Sequence, residues 1–193
     1  MTRAVIFCGS ERCSYVQAQM LETYLRQEVG LRRHSVSVEA CGHKTPDELA
    51  WMIGLHSAKA NKQPLLIAYF GHGYPDGWSY GHEMQGEPLQ ISYATIAAKL
   101  RNHQSPLLFL NDCCYAAKIH EHMLWIESDR VPITVLSSCS AEETAYGEMT
   151  RDILAFWRAS KPYVPVKRKF FLESLEEQRH GPELDHYFFP KPE

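Results

Sequence analysis

The sequence predicts an α/β protein, a three-layer α/β/α sandwich around a six-stranded, mostly parallel sheet. Three observations carry this. Short apolar runs flanked by turn residues recur along the chain, the pattern of buried strands, and Leu65–Phe70 and Leu107–Leu110 are the plainest. Stretches with apolar residues at helical spacing lie between them, and alternating strands and helices imply a sheet covered on both faces. At 193 residues, 45% hydrophobic and 22% charged, the chain is long enough for one full core. Residues 1–193 therefore read as one domain, without internal repeat or linker.

The elements follow in order. Val5-Ile6-Phe7 forms a first strand ending at Gly9-Ser10. Ser14 and Gln17 offer a capping box to a helix with Val16, Leu21, Tyr24, Leu25 and Val29 at helical spacing, closed by Gly30. Residues 34–40 alternate as a half-exposed strand. In Thr45-Pro46-Asp47-Glu48, Thr45 caps, Pro46 takes the first helical position and Glu48 completes the box. Leu49, Met52, Ile53 and His56 share one face of that helix, which runs to about Asn61. The strand after it ends at Gly71-His72-Gly73. Residues 71–86, rich in Gly, Pro, Asp and aromatics and without a period, read as a long functional loop.

Ser92–Leu100 reads as a short helix, and residues 105–112 as the next strand. Tyr115–Trp125 reads as a helix that starts at the Cys113-Cys114 pair. Val131–Leu136 is a fifth strand, with Pro132 tolerated near its start. Thr150–Ala159 is helical, with Ile153, Leu154 and Trp157 as core candidates. Val166, Phe170, Phe171 and Leu175 suggest a last helix stopped by Gly181-Pro182, and Tyr187-Phe188-Phe189 a final strand.

Composition excludes several classes. A formal charge of −3 without a basic stripe argues against a nucleic-acid partner. No apolar run approaches a membrane span, and the apolar stretch at the N-terminus is too short for a secretory signal. The six cysteines then read as free thiols of a cytoplasmic protein. His120 and His122 point to different faces of a helix and no Cys-x-x-Cys exists, so no metal site is expected. A phosphate-binding glycine loop and a Gly-x-nucleophile-x-Gly elbow are both absent.

Chemistry gathers at the ends of two strands. In open α/β sheets, ligands bind outside the carboxyl ends of the strands. If the strands ending at His72 and at Cys113-Cys114 are neighbours, a cysteine nucleophile stands beside a histidine acid/base. Cys114 is better placed than Cys113, whose side chain should point to the opposite face. The helix beginning after Cys114 would favour its thiolate, and the N–H groups of Gly73 and Cys114 could hold an oxyanion. The expected reaction is acyl transfer, with peptide hydrolysis its commonest form.

Tyr69-Phe70-Gly71-His72-Gly73 resembles the histidine motif of the caspase-like cysteine peptidases, including metacaspases and paracaspases. Asp112-Cys113-Cys114-Tyr115-Ala116-Ala117 resembles their cysteine motif. Residues 136–145, Leu-Ser-Ser-Cys-Ser-Ala-Glu-Glu-Thr-Ala, are similar to the metacaspase segment after the next strand. The resemblance implies a caspase-like sheet between helices, a His72–Cys114 dyad and endopeptidase activity on protein or peptide substrates. It also implies that Asp112 binds an arginine or lysine side chain before the cut, by charge-assisted hydrogen bonds. Capping the following helix is the alternative role for Asp112. Ser138 and Glu142 are further candidates for the substrate pocket, Glu142 adjoining Ala141, where metacaspases usually carry an acid. The loop Gly9–Ser14 lacks the family's asparagine-aspartate pair. No cofactor is expected; calcium activation, which the resemblance brings in, has only Asp76, Glu83 and Glu87 to rest on. A caspase-fold module without catalysis, serving as a binding or regulatory partner, is the competing reading. Oligomeric state is open.

Overall fold

The computed structural model describes residues 2–60, 62–82, 86–123, 133–140, 142, 144, 149–159 and 176–180. In chain order the elements are β1 (Arg3–Cys8), α1 (Arg12–Gln27), β2 (Val36–Ala40), α2 (Pro46–Lys59), β3 (Leu65–Phe70), β4 (His72–Tyr74) and β5 (Gly77–His82). There follow β6 (Pro88–Ser92), α3 (Tyr93–Leu100), β7 (Leu107–Asp112), α4 (Ile119–Met123), β8 (Ile133–Ser137), α5 (Met149–Ala159) and β9 (Glu176–His180). The main sheet has six strands in the order β2-β1-β3-β7-β8-β9. The first five are parallel, and β9 closes the edge antiparallel to β8. This is the expected α/β architecture.

The central strands β1, β3 and β7 are buried almost throughout and mostly apolar because both faces are covered. Their pleat divides the side chains between two cores. Val5 and Phe7, Leu65, Ile67 and Tyr69, and Leu107 and Phe109 face the layer of α2 and α3. Ala4, Ile6 and Cys8, Leu66, Ala68 and Phe70, and Leu108 and Leu110 face α1 and α5. Chain direction across the sheet reverses at β1: the chain runs outward to β2, then returns to β3 on the other side. The cleft described below opens at the carboxyl ends there, the place such sheets reserve for ligands.

The capping box at Thr45 and Glu48 is present, with Pro46 in the first turn, and Ser92 caps α3. Gly30 takes a φ of +79° just past α1 and lets the Leu31 N–H reach back to the Leu25 carbonyl. Other expectations are corrected. α1 begins at Arg12 and not at a Ser14 cap: Ser14 is buried inside the helix, and Glu11, the N-cap residue, makes no capping bond. Residues 71–86 are largely not loop, because β4, β5 and β6 form a small antiparallel sheet. The alternation that makes it, Trp78 and Tyr80 inward with small residues between, is too short and too glycine-rich to register as a strand.

The last helix, expected to run to Gly181, meets β9 at Glu176–His180, where backbone pairing to β8 prevails over local helical propensity. The rest of that helix and the strand at Tyr187–Phe189 lie outside the described residues.

A polar and aromatic knot joins the two sheets. Trp78 from β5 stacks on Tyr69 of β3, with ring centroids 4.1 Å apart. Its indole Nε1–H donates to Asn111 Oδ1 at 2.9 Å. Asn111 is fully buried, and its Nδ2 donates to the Ala116 carbonyl at 2.8 Å and the Tyr93 hydroxyl at 3.1 Å. Asn111→Ala strands the buried Trp78 N–H and Ala116 carbonyl, so urea unfolding should show a loss of about 2–4 kcal/mol. An unchanged midpoint would remove Asn111 from this role.

Candidate active site

Pleat parity at the end of β7 decides which side chain goes where. Asn111 follows Leu107 and Phe109 toward the α2/α3 side. Asp112 follows Leu108 and Leu110 toward α1 and α5, where Gln17 Nε2 donates to its Oδ2 at 3.2 Å. Cys113 returns to the first face and is buried, its thiol 3.5 Å from both the Tyr93 hydroxyl and Asn111 Oδ1. Burial pushes the Cys113 thiol well above the usual range. Cys114 comes out half-buried at the wall of the cleft. Both thiols border the cleft, Cys113 buried and Cys114 the more accessible of the two.

β3 delivers the histidine. Tyr69 holds the crossing from β3 to β4, its hydroxyl donating to the His72 carbonyl at 2.9 Å and the Ser79 carbonyl at 3.2 Å. Gly73 then lies directly on the cysteine turn: a Cβ there would stand 1.9 Å from the Cys114 carbonyl oxygen and 3.0 Å from Cys113 Sγ. Only glycine permits so close an approach of two backbones. His72 and Cys114 therefore line one cleft of about 840 Å³, together with Glu11, Gln17, Asp112 and Thr150.

The turn after the cysteine differs from expectation. Tyr115 adopts φ 56°, ψ 29°, the only non-glycine positive φ among the described residues. Such a conformation is costly for a residue with a Cβ and collects at functional sites. A 3-10 turn, Ala116–Lys118, and the five-residue α4 follow. No α-helix starts at Cys114, because the left-handed residue breaks the helical path; the helix-dipole support expected for its thiolate is lost.

His72 Nε2 lies 2.5 Å from Glu11 Oε1, a hydrogen-bonded contact at the exposed mouth of the cleft. Asp112 is 3% exposed, and its Oδ1 has no hydrogen-bond partner among the described residues. Burial raises its pKa to about 6; the Ser138 hydroxyl and Thr150, which face it, restrain that rise. The Ser138 hydroxyl itself donates to the Cys113 carbonyl at 3.2 Å, so Ser138 stands behind the turn instead of lining the cleft. Glu142 is exposed and outside the cleft wall. Ala141 and Glu83 lie outside the described residues.

The sequence reading assigns none of Glu11, Gln17 and Thr150 to the site, yet each lines the cleft. Gln17 reads in the sequence only as part of a capping box, and all three lie far along the chain from both His72 and Cys114. Among the described residues no group of three His, Cys, Asp or Glu side chains is arranged to hold a metal ion, and no helix is long and apolar enough to cross a membrane.

Neither a protein-family model nor a curated protein sequence matches the chain. Solved structures do. Raptor from Chaetomium thermophilum matches 84% of this chain at 13% identity with a TM-score of 0.51, and the chain spans 18% of Raptor's length. Caspase-1 from Spodoptera frugiperda matches 93% of the chain and 88% of its own at 13% identity, TM-score 0.48. A secreted C11 cysteine protease from Bacteroides thetaiotaomicron matches 76% of the chain and 50% of its own at 12% identity, TM-score 0.47. The likeness to Raptor is one of fold.

Exposure orders the thiols. Iodoacetamide at neutral pH should modify Cys13 and Cys114 in the folded protein and spare Cys8, Cys41, Cys113 and Cys139, as read by peptide mass mapping. Modification of Cys113 ahead of Cys114 would reverse the assignment of the reactive thiol.

Proposed function

We propose that the protein is a caspase-like cysteine endopeptidase that cuts after arginine or lysine. The observation that carries this is the seating of Gly73 on the Cys114 carbonyl, which sets a histidine and a half-buried thiol on one cleft wall. Three matching motifs in the right order support it from the sequence side.

In this reading Cys114 Sγ attacks the scissile carbonyl carbon. The N–H groups of Gly73 and Cys114 hold the developing oxyanion. His72 protonates the leaving amine, whose bond to carbon breaks, and a thioester remains. Water, deprotonated by His72, then attacks the thioester; the acid leaves and Cys114 recovers its proton. No cofactor takes part, and calcium is tested below as an activator.

Asp112 supports the basic preference. A buried carboxyl with an unpaired oxygen suits an incoming guanidinium or ammonium. Val16 and Met20 on the same wall offer apolar surface to the aliphatic stem. A module without catalysis has no use for an acid held at such cost, so the inert reading is less favoured.

A mixed peptide library read by mass spectrometry tests the reading, with and without calcium. Wild type and Cys113→Ala should cut after Arg or Lys, and Cys114→Ala should not. Silence from all three, with the fold intact, would leave the binding-module reading.

Asp112 gives a separate test. Its raised pKa means that the folded state favours the protonated carboxyl. The associated stability is present below the ordinary carboxylate range and lost as pH rises through about 6. Asp112→Asn should therefore abolish cutting after basic residues yet stabilise the fold by roughly 1–3 kcal/mol at pH 8. That gain should shrink toward pH 4. Loss of stability at pH 8 would contradict it.

A further inference from the structure

We infer that Glu11 is a positioning residue for His72, so that the site works as a Cys114–His72–Glu11 arrangement and not as a bare dyad. This rests on the peptidase reading and adds a residue to it. Glu11 occupies the N-cap position of α1, with extended backbone at φ −82° and ψ 147°. A side-chain oxygen there ordinarily accepts from the first free N–H groups of the helix. Glu11 makes no such bond. One carboxylate oxygen lies against His72 Nε2, and the other lies 3.5 Å from the Cys13 thiol, which donates to it.

Chemistry fixes what this contact does. A carboxylate only accepts, so the proton of neutral His72 sits on Nε2. Nδ1 is then the unprotonated nitrogen, the one that can take a proton from Cys114 or from water. Rotation of the ring about its bonds is also restrained. This matters because His72 is otherwise weakly held: its side chain is 60% exposed, and packing alone does not fix its orientation. Glu11 comes from the end of β1, His72 from just beyond β3 and Cys114 from just beyond β7, three adjacent strands of the sheet. The three residues line one cleft because those strands end together.

The test compares Glu11→Ala and Glu11→Gln with wild type on the best-cut peptide of the library. Glu11→Ala should lower kcat by about 10- to 100-fold, a share of what a general acid/base supplies, with KM nearly unchanged. Glu11→Gln, whose amide oxygen can still accept from Nε2–H, should recover most of that loss. Imidazole nitrogen NMR should report the Nε2–H tautomer of His72 in wild type and in the Gln variant, and a mixture in the Ala variant. An active wild type with unchanged kcat and unchanged tautomer in Glu11→Ala would overturn the role of Glu11 alone. A wild type that neither cuts peptides nor has Cys114 alkylated overturns the peptidase reading and this role with it. That outcome is separately visible, because it shows in the wild type before any Glu11 variant is made.

Discussion

The pleat of β7 is the constraint on which the site depends. Successive residues of a strand alternate between faces, and at the end of β7 each of four consecutive residues has a different environment. Asn111 closes the knot with Trp78 and Tyr93, Asp112 enters the cleft floor, Cys113 returns to the core and Cys114 emerges. A one-residue slip would bury the outer thiol, expose the inner one and put an amide where the carboxyl stands. The parallel register of β7 with β3 and β8 is what prevents that slip, and it is anchored by two apolar faces at once.

The energetic cost is concentrated at the same place. A half-satisfied buried carboxyl and a tyrosine in the left-handed region adjoin the cleft within four residues of each other. Each is unfavourable on its own, and each persists because the surrounding layers over-determine the backbone. Asn111 holds the Ala116 carbonyl, Cys139 Sγ accepts from the Ala116 N–H at 3.5 Å, and Ser138 and Cys139 both donate to the Cys113 carbonyl. The turn bearing Cys114 is thus tied at the backbone from β7 itself and from the end of β8. Rigid support behind a reacting side chain is what preorganised chemistry needs.

Much of this was legible in the sequence because it depended on short-range pattern. The buried runs at 65–70 and 107–110, the capping box at Thr45 and Glu48 and the helix after Ser92 all follow from side-chain period and local hydrogen bonding. So did the parity that separates Cys113 from Cys114. The small sheet was hidden by its glycines, whose missing side chains leave no alternation to read. β9 was hidden because strand pairing to β8 is a property of the sheet and not of residues 176–180. Glu11 was hidden for a third reason. A glutamate in a loop carries no signal, and its partner lies 61 positions away. Only the parallel arrangement of β1 and β3 brings the two together.

The corrected turn at Tyr115 changes what the remaining residues must do. With a helix starting at Cys114, its dipole would share in stabilising a thiolate. The left-handed residue removes that contribution, and in the proposed mechanism proton transfer then falls to His72 alone. A histidine so exposed must be held from outside the core, and the only carboxylate bonded to its ring among the described residues is that of Glu11. The absent helix dipole, the uncapped start of α1 and the His72–Glu11 pair are then parts of one arrangement. In the proposed peptidase, the carboxylate that could have capped a helix on β1's side of the cleft instead orients the histidine that serves the thiol.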